Sequence, residues 1–452
     1  MSTEWLRPPS RADLLEQGKN ARQHTPRSDL AKLARTARNP LAILAEQDAI
    51  RLSDLVALRA ERMSASPFAF YRGTAALMAA DFADAPHSGI MVASCGDAHV
   101  SNFGFYASAQ RNLMFDLNDF DEAAWAPWEW DVKRLVGSIV VAGQATNRED
   151  AVVERAVRAG VRAYARSIRN NTTLSPTERY FTHFNVEATK TMLDRAALRA
   201  IRKAVKQATR RTGERAVQRI TETDAAGKRR FVHQPPTTTE LDPDIRLLVD
   251  AVVDEYRRSA SSDIALLFEH FAVADVARRV VGVGSVGTRC DLVLLQDGED
   301  NTLLMQAKQA SESVLAQYGR ITQPETLTVM IAESGEGARV VAMQRILQAL
   351  SDPFLGHAQS SNADLYIRQF HDMKGGIEVE ALDDGPFVTY AQACAGTLAR
   401  AHSQSVSASV VAGYIGNGRA VADALLEWSL SYAAVSLADY RAFVAARSFT
   451  SP

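Results

Sequence analysis

The 452-residue chain has only three cysteines, at positions 95, 290 and 394. They stand too far apart to form a Cys-x-x-Cys pair or a zinc-knuckle spacing, and three cysteines exclude a disulfide scaffold. No uninterrupted apolar run reaches about 18 residues, so the sequence predicts no membrane span. The first twenty residues lack the apolar stretch of a signal peptide, and a cytoplasmic location is therefore expected.

The chain also lacks an excess of charge of either sign. Its 51 Lys and Arg residues oppose 53 Asp and Glu residues, for a formal charge of −2, which argues against DNA or an anionic membrane as a partner of the whole chain. One stretch departs from this balance, because residues 195–230 carry nine Arg and three Lys against three acidic residues. That stretch could bind a phosphate-rich ligand or form a solvated helix face. We favour the second interpretation because no aromatic residues are interleaved with the charges.

What is present is an alternation of helical and strand-like segments that predicts an α+β fold. Apolar residues recur at helical spacing in residues 41–85, 129–170, 244–275 and 336–350 and in most of the chain after 388. Short apolar strands are predicted at residues 89–94, 112–115, 279–308 and 365–370. Residues 1–40, with four prolines, are predicted to form a loosely structured arm.

The first group of candidate site residues follows the strand at 89–94. Asp97 and Asn102 are five positions apart, and Asp119 comes seventeen residues later, after the next strand. A loop aspartate can accept a proton from a hydroxyl nucleophile, and an Asn oxygen with a second carboxylate suits Mg²⁺. Asp116 and Asp121 compete for the metal role of Asp119. The alternative is that these residues only form turns and cap a helix.

The second group is a glycine-rich turn between two predicted strands. Gly282, Gly284 and Gly287 have a G-x-G-x-x-G spacing that includes Ser285, and Lys308 ends a later apolar strand. No helical pattern follows the turn directly, so a strand–loop–strand is favoured over a dinucleotide-binding unit. Such a loop can place backbone N–H groups over phosphates, and the lysine can reach the same phosphates. Alternatively, Lys308 is only a solubilising residue on an edge strand.

A lysine in this role needs a polar partner on a neighbouring helix, and the sequence offers several candidates. Glu312 is close along the chain, Glu336 precedes the predicted helix 336–350, and Gln344 lies on it. The pattern does not choose between them.

These two groups resemble the motifs of protein kinases and, more closely, of the aminoglycoside-phosphotransferase-like enzymes. Gly96, Asp97, His99 and Asn102 match that branch's His-Gly-Asp-x-His-x-x-Asn loop, with Cys95 in place of its first His. The resemblance implies a two-lobed kinase-like fold with ATP and Mg²⁺ as cofactors. It makes Asp131 a candidate brace for the loop, and His99 is interpreted as a hydrogen-bonded loop residue.

In ordinary kinases the glycine loop and lysine precede the catalytic loop, whereas here Asp97 precedes Lys308 by 211 residues. A circular permutation explains this order, because the termini of compact domains often lie close together. We therefore predict an N-terminal arm (1–40), a helical lobe with the catalytic and metal loops (41–275), a β-rich nucleotide-binding lobe (276–378) and C-terminal helices that complete the helical lobe (379–452).

Taken as a whole, the chain is similar to a bacterial family known as domain of unknown function 2252, which itself resembles the kinase-like superfamily. The resemblance rests on the segments 70–73, 95–99, 102–104, 115–121, 127–131, 282–287 and 366–375. The family carries no established substrate. Arg72, in the first segment, could contact a phosphate or an acceptor, or form an internal salt bridge.

The function predicted from these residues is an ATP- and Mg²⁺-dependent phosphotransferase acting on a hydroxyl acceptor, most simply a small molecule. Catalysis would consist mainly of alignment and charge neutralisation. One alternative is a nucleotide-binding regulator without transfer chemistry. Another is a metal-dependent phosphoester hydrolase that uses Asp97, His99, Asp116, Asp119 and Asp121, although such sites favour several imidazoles. No nucleic-acid or membrane partner is expected.

Overall fold

The computed structural model describes residues 7–34, 38–182, 204–209, 213–280, 282–370 and 375–448. Within these ranges the fold is α+β, as predicted, with several antiparallel sheets. The α-helices, in chain order, are Arg11–His24 (α1), Pro40–Ala49 (α2), Ser53–Ser64 (α3), Pro67–Arg72 (α4), Ala75–Ala83 (α5), Trp128–Ala145 (α6), Asp150–Asn171 (α7), Pro176–Phe181 (α8), Gly213–Ile220 (α9), Pro243–Arg246 (α10), Val249–Ser259 (α11), Ser262–Phe268 (α12), Val314–Gln317 (α13), Glu325–Leu347 (α14), Asp384–His402 (α15), Ala408–Ile415 (α16) and Arg419–Ser448 (α17).

The strands, in the same order, are Met91–Ser94 (β1), Phe103–Ala107 (β2), Leu113–Leu117 (β3), Ala124–Pro127 (β4), Thr221–Thr223 (β5), Arg229–Phe231 (β6), Thr238–Thr239 (β7), Ala272–Arg279 (β8), Cys290–Gln296 (β9), Thr302–Ala310 (β10), Gly356–Ser360 (β11), Ala363–Gln369 (β12) and Gly375–Gly376 (β13). The strands predicted at 89–94, 112–115 and 365–370 are confirmed as β1, β3 and β12, and the later part of 279–308 contains β9 and β10. The strand before the glycine turn was misplaced, because β8 starts within the stretch predicted to be helical and ends at Arg279. The predicted helical stretch 244–275 divides into α10, α11 and α12 and ends where β8 begins.

The largest sheet has six antiparallel strands in the order β11–β12–β10–β9–β8–β7. Its central strand β10 places Lys308 opposite Cys290 of β9 and Tyr366 of β12. Side chains alternate between the faces of a strand, so Lys308 shares a face with Leu304. That face packs on α9, and the opposite face packs on α11 and α12.

The turn between β8 and β9 requires glycine at two positions. Gly282 has φ of +75° and Gly287 has φ of +89°, a region that residues with a Cβ adopt only with strain. The predicted strand–loop–strand is therefore the observed conformation, and the alternative of a helix after the glycines is wrong.

Two small sheets hold the first group of candidate residues. β1 pairs with β4, and β2 pairs with β3 on one edge and with β13 on the other. The polar loop that contains Asp97 connects β1 to β2, and the segment that contains Asp119 and Asp121 connects β3 to β4. These paired strands therefore bring the two loops to the same end of the structure.

The main hydrophobic core lies among the long helices α6, α7, α15 and α17. Helix α6 is almost wholly buried along its first four turns, including charged residues such as Asp131 and Arg134. Buried charges are stable only when they are paired, so the charged residues of α6 indicate that this helix supports a polar site.

The N-terminal segment departs from the predicted loose arm, because residues 11–24 form helix α1. Ser10 and Asp13 form a capping box at its start, and the prolines flank the helix instead of interrupting it. Gly18 lies against α16, where a Cβ would come within 2.0 Å of the carbonyl oxygen of Val410. The helix was missed because its contact depends on a small residue and not on an apolar stripe.

The basic stretch 195–230 lies partly outside the described residues. Its described portion forms helical turns at 204–209, then α9 and the two-stranded sheet β5–β6. No helix among the described residues is long and apolar enough to cross a membrane.

Candidate active site

A cleft of about 140 Å³ gathers most of the residues that the sequence analysis selected. It lies between the β1–β2 loop, the β3–β4 segment, the glycine turn and the ends of α2 and α4. The predicted residues in its wall are Arg72, Asp97, His99, Asn102, Asp119, Asp121, Gly282, Gly284 and Ser285. The two groups of candidate residues, far apart in sequence, therefore meet in one cleft.

The β1–β2 loop is held in a fixed shape by its own backbone and by α6. The amide of Asn102 donates from Nδ2 to the carbonyl of Asp97 at 2.7 Å, which leaves Oδ1 of Asn102 as an available acceptor. Gly96 has φ of +77°, and a Cβ there would lie 2.1 Å from the carbonyl oxygen of Glu122. The glycine thus lets the two acidic loops pack together.

Asp131 of α6 braces this loop from below. Its carboxylate accepts hydrogen bonds from the amides of Cys95 at 2.8 Å and Gly96 at 3.0 Å. His402, at the end of α15, lies 3.1 Å from the same carboxylate, and its other ring nitrogen lies 2.7 Å from the hydroxyl of Tyr164. Asp131, His402 and Tyr164 are all buried, so the loop rests on a chain of hydrogen bonds that extends into the helical core.

Asp97 is paired with an arginine that the sequence analysis did not select. Arg134 Nε donates to Asp97 Oδ1 at 2.7 Å, and the same guanidinium donates to the carbonyl of Tyr71 at 2.7 Å. Burial raises the pKa of Asp97, and Arg134 opposes this shift. The arginine fixes the orientation of the carboxylate at the edge of the cleft.

His99 is buried in the same loop, with Nε2 at 3.6 Å from Asp97 Oδ2. Burial, together with the positive charges of Arg134 and Arg72, holds the pKa of His99 well below its ordinary value. The ring is therefore neutral at neutral pH, and it can serve Asp97 as a hydrogen-bonding neighbour but not as a counter-charge.

Lys308 crosses to the β3–β4 segment and pairs with Asp121. Its Nζ donates to Asp121 Oδ2 at 2.6 Å and lies 3.8 Å from Asp119 Oδ1, and the Tyr366 hydroxyl donates to the other oxygen of Asp121. Burial alone would lower the pKa of Lys308, but Asp119 and Asp121 outweigh it and raise that pKa well above its ordinary value. The lysine is therefore a permanent buried cation, not an edge-strand solubilising residue.

The candidate partners of Lys308 on the following helix are wrong. Glu336 instead pairs with Arg339 on the same helix, and Gln344 donates to Gln348. Glu312 is exposed. Asp121 supplies the negative charge from 187 residues away along the chain.

Arg339 replaces the expected helix acid as the link between α14 and the cleft. Its guanidinium donates to the carbonyls of Ala123 at 2.6 Å, Asp121 at 2.9 Å and Ser311 at 2.8 Å. These bonds fix the backbone of the β3–β4 segment relative to β10. The sequence pattern could not indicate this role, because an arginine in a helix is usually exposed.

Glu122 adds a carboxylate to the cleft wall that the sequence analysis also missed. Its Oε2 accepts from the amide of Val314 at 2.8 Å. Burial raises the pKa of Glu122 to about 7, with contributions in the same direction from Asp121 and Asp97, while the Val314 amide and Arg339 oppose the shift.

The glycine turn is tied to helix α3 and the residues before it. The carbonyl of Gly282 accepts from Arg62 at 2.6 Å, and that of Val286 accepts from Arg51 at 2.6 Å. The carbonyl of Gly287 accepts from the amide of Leu52 at 2.8 Å. Three carbonyl groups of the turn are therefore fixed by residues outside the sheet.

Asp116, a competitor for the metal role, is placed elsewhere. Its buried carboxylate accepts from the amides of Ala349 and Leu117, at 2.8 and 2.9 Å, and the cleft wall does not include it. It anchors the residues after α14 to β3. Asp121 is the nearer of the two carboxylates beside Lys308, at 2.6 Å against 3.8 Å for Asp119.

A protein-family model described as an uncharacterized protein conserved in bacteria, DUF2252, matches residues 51–446. The chain belongs to the DUF2252 family. No curated protein and no solved structure matches it. The DUF2252 match begins at Arg51, so it includes the β1–β2 loop, the glycine turn and Lys308, but it does not extend to α1.

Proposed function

We propose that this protein is an ATP- and Mg²⁺-dependent phosphotransferase with a circularly permuted, kinase-like fold, which acts on a hydroxyl group of a small molecule. The observation that carries the proposal is the meeting of Asp97, Asn102, Asp119 and the glycine turn in one cleft, with the Nζ of Lys308 3.8 Å from Asp119. These are the parts that phosphoryl transfer requires, because its catalysis is mostly positioning and charge neutralisation.

The arrangement of the largest sheet supports the kinase-like part of the proposal. In protein kinases a glycine-rich loop covers the phosphates and the phosphate-binding lysine is on the third strand. Here the glycine turn joins β8 to β9, Lys308 lies on the next strand β10, and a long helix, α14, follows. The permuted order is supported by α1, which packs on α16 and so brings the N-terminal segment against a helix of the C-terminal part of the chain.

The donor groups present fit a magnesium ion that is shared with a nucleotide. Asn102 keeps Oδ1 available while its Nδ2 is bound to the Asp97 carbonyl, and Asp119 contributes a carboxylate on the same cleft wall. Mg²⁺ is usually held by one or two protein oxygens together with phosphate oxygens and water. When bound, the ion would neutralise charge on the transferring phosphate.

In the proposed reaction the acceptor oxygen forms a bond to the γ-phosphorus, and the bond from that phosphorus to the β–γ bridging oxygen breaks. Asp97, held by Arg134, orients the acceptor hydroxyl and takes its proton. The glycine turn positions the phosphates of the donor through backbone N–H groups, and Lys308 supplies a fixed positive charge beside Asp119. ADP and the phosphorylated acceptor leave as products.

We also propose a cytoplasmic location, which the three free and buried cysteines support, because disulfides are rare in a reducing compartment.

The proposal is tested by isothermal titration of the wild type and Asp97→Asn with Mg²⁺ and ATP, together with an assay for ADP release in the presence of candidate hydroxyl acceptors. We expect both proteins to bind Mg–ATP within a few-fold of each other and Asp97→Asn to lose transfer by roughly 10²- to 10⁴-fold. Binding without turnover in the wild type would instead indicate a nucleotide-binding regulator. Failure of the wild type to bind Mg–ATP would overturn the proposal.

A further inference from the structure

Three nitrogen atoms in the cleft wall are buried without a hydrogen-bond partner among the described residues. They are Nε of Arg51, Nε of Arg72 and Nδ1 of His99. Buried polar groups are nearly always hydrogen-bonded, and a buried charge without a partner is costly. Three such atoms lining one cleft indicate that a ligand completes their bonding.

Arg72 makes its part of the cleft favourable for an anion. Two other cations beside the cleft, Arg134 and Lys308, are paired with Asp97 and Asp121. Arg51 donates from Nη1 to the carbonyl of Val286, and its acidic neighbours are Asp48, Glu122 and Asp121. A guanidinium is the side chain best suited to a phosphate or carboxylate group.

Arg72 and Asp97 lie together in the cleft wall. Burial lowers the pKa of Arg72, and the carboxylates of Asp97 and Glu380 oppose that shift, so both are acidic neighbours of Arg72. His99 is in the same loop as Asp97. A hydroxyl that reaches Asp97 therefore brings the rest of its molecule against Arg72 and His99.

The glycine turn closes over this end of the cleft. Gly284 approaches the backbone of α4 so closely that a Cβ there would lie 3.3 Å from the carbonyl oxygen of Arg72. The acceptor must fit between the turn and the β1–β2 loop, in the same cleft.

We propose that the acceptor carries a compact oxyanion, a phosphate or a carboxylate, next to its reactive hydroxyl, and that Arg72 and His99 bind this group. The inference rests on the proposed function, because it assigns the acceptor end of the same cleft. Arg72 then serves to offset the repulsion that Asp97 and Asp119 would exert on an anionic acceptor.

The test is isothermal titration of inorganic phosphate into the protein saturated with Mg²⁺ and a non-hydrolysable ATP analogue. We expect phosphate to bind the wild type under these conditions, and Arg72→Gln to weaken phosphate binding by roughly 10- to 100-fold, as expected for loss of a charge-assisted hydrogen bond. Arg257→Gln, which removes an exposed arginine paired with Glu269, is the charge-matched control and should leave phosphate binding unchanged. Repeating the titration with acetate distinguishes a phosphate site from a carboxylate site.

A structural role for Arg72 is separated from a binding role by the stability of the free protein. If Arg72 awaits a ligand, Arg72→Gln should unfold at the same temperature as the wild type or a higher one, and Arg72→Lys should bind phosphate with intermediate affinity. Loss of folding in Arg72→Gln together with unaltered phosphate binding in Arg72→Lys would overturn the proposal.

Two further outcomes would also overturn it. In one, neither phosphate nor acetate binds the nucleotide-saturated wild type, or phosphate binds Arg72→Gln equally well. In the other, the nucleotide analogue displaces phosphate and Arg72→Gln weakens binding of the nucleotide analogue instead, which would assign Arg72 to the site of the phosphate donor. Failure of the proposed function is distinguishable, because the wild type would then not bind the nucleotide analogue in the first step. If such a protein still bound phosphate, it would have an anion site, but that site would have no acceptor role.

Discussion

Lys308 shows how a single buried charge determines the geometry around it. Its side chain is about 3% exposed, whereas that of Asp121 is 25% exposed and that of Asp119 is 37% exposed. The lysine therefore depends on carboxylates that themselves reach solvent in the cleft. This arrangement links the central strand of the largest sheet to the wall of the cleft.

Asp121→Asn should destabilise the protein, because it leaves the Lys308 ammonium buried without its nearest counter-charge. We expect a loss of about 3 kcal/mol in the free energy of unfolding, the lower end of the range for breaking a buried pair, since Asp119 remains close. Urea denaturation measures it. The double variant Asp121→Asn, Lys308→Met should lose less free energy of unfolding than the sum of the losses of the two single variants.

The matched control for this experiment is Asp54→Asn, which breaks the exposed pair of Asp54 with Arg278. Exposed ion pairs contribute about 1 kcal/mol or less. If Asp121→Asn were no more destabilising than this control, the buried ion pair would not be the link between β10 and the cleft.

Glu122 is expected to make stability depend on pH in a direction that is unusual for a carboxylate. Its pKa in the folded protein is raised to about 7 from an ordinary 4.5, so the folded state holds a proton more tightly than the unfolded chain does. Its contribution is fully present below the unfolded pKa and is lost as pH rises from about 4.5 through 7. The wild type should therefore lose about 2 kcal/mol relative to Glu122→Gln between pH 5 and pH 8.

Urea denaturation of both proteins at the two pH values, without divalent ions, checks this prediction. The comparison with Glu122→Gln removes the contributions of other titrating groups, which are shared by both proteins. A stability difference that is the same at pH 5 and pH 8 would contradict a raised pKa for Glu122.

At the scale of elements, the sequence was informative wherever the signal is local. The strands β9 and β10 after the glycine turn, the strands β1 and β3 and the long helices follow from apolar spacing, and Gly282 and Gly287 indicated a turn, which has left-handed backbone at both positions. Asp97, Asn102 and Asp119 could be selected because their types and spacing match a known chemistry. These residues meet in the cleft because paired strands place their loops together.

The same local signals could not reveal the supporting residues. Arg134 lies three positions after Asp131 on α6, and nothing in that spacing shows that one contacts Asp97 and the other the amides of the same loop. Arg339 and Asp121 likewise act through contacts between distant segments. The partner of a buried charge is determined by tertiary packing, so it becomes visible only when the helices are in place.

The glycine turn is held in place by residues from outside its own sheet. Its strands belong to the largest sheet, but its carbonyl groups are bound by Arg51, Leu52 and Arg62, which belong to the helical part of the chain. With those carbonyls engaged, the conformation of the turn is defined before any ligand arrives. A preorganised turn lowers the entropy that binding would otherwise cost.

At the scale of the whole molecule, the N-terminal helix α1 is held against α16, far along the chain. Arg22 of α1 donates to the carbonyl of Tyr414 at 3.0 Å, and a Cβ on Gly413 would lie 2.1 Å from the carbonyl oxygen of Leu15. The contact between α1 and α16 is therefore a close approach of two helix backbones.

Gly18→Ala tests this contact, and Gly385→Ala provides a control with the same chemical change. An alanine Cβ at Gly18 would meet the backbone of Val410 at 2.0 Å, whereas nothing lies within 4 Å of a Cβ at Gly385. We expect Gly18→Ala to lose about 1–3 kcal/mol of stability, because backbone atoms cannot move aside as a flexible side chain can. Gly385→Ala should be neutral or gain about 0.5 kcal/mol, as alanine usually does in a helix. Thermal unfolding compares the two variants. Equal melting temperatures would mean that α1 does not dock on α16.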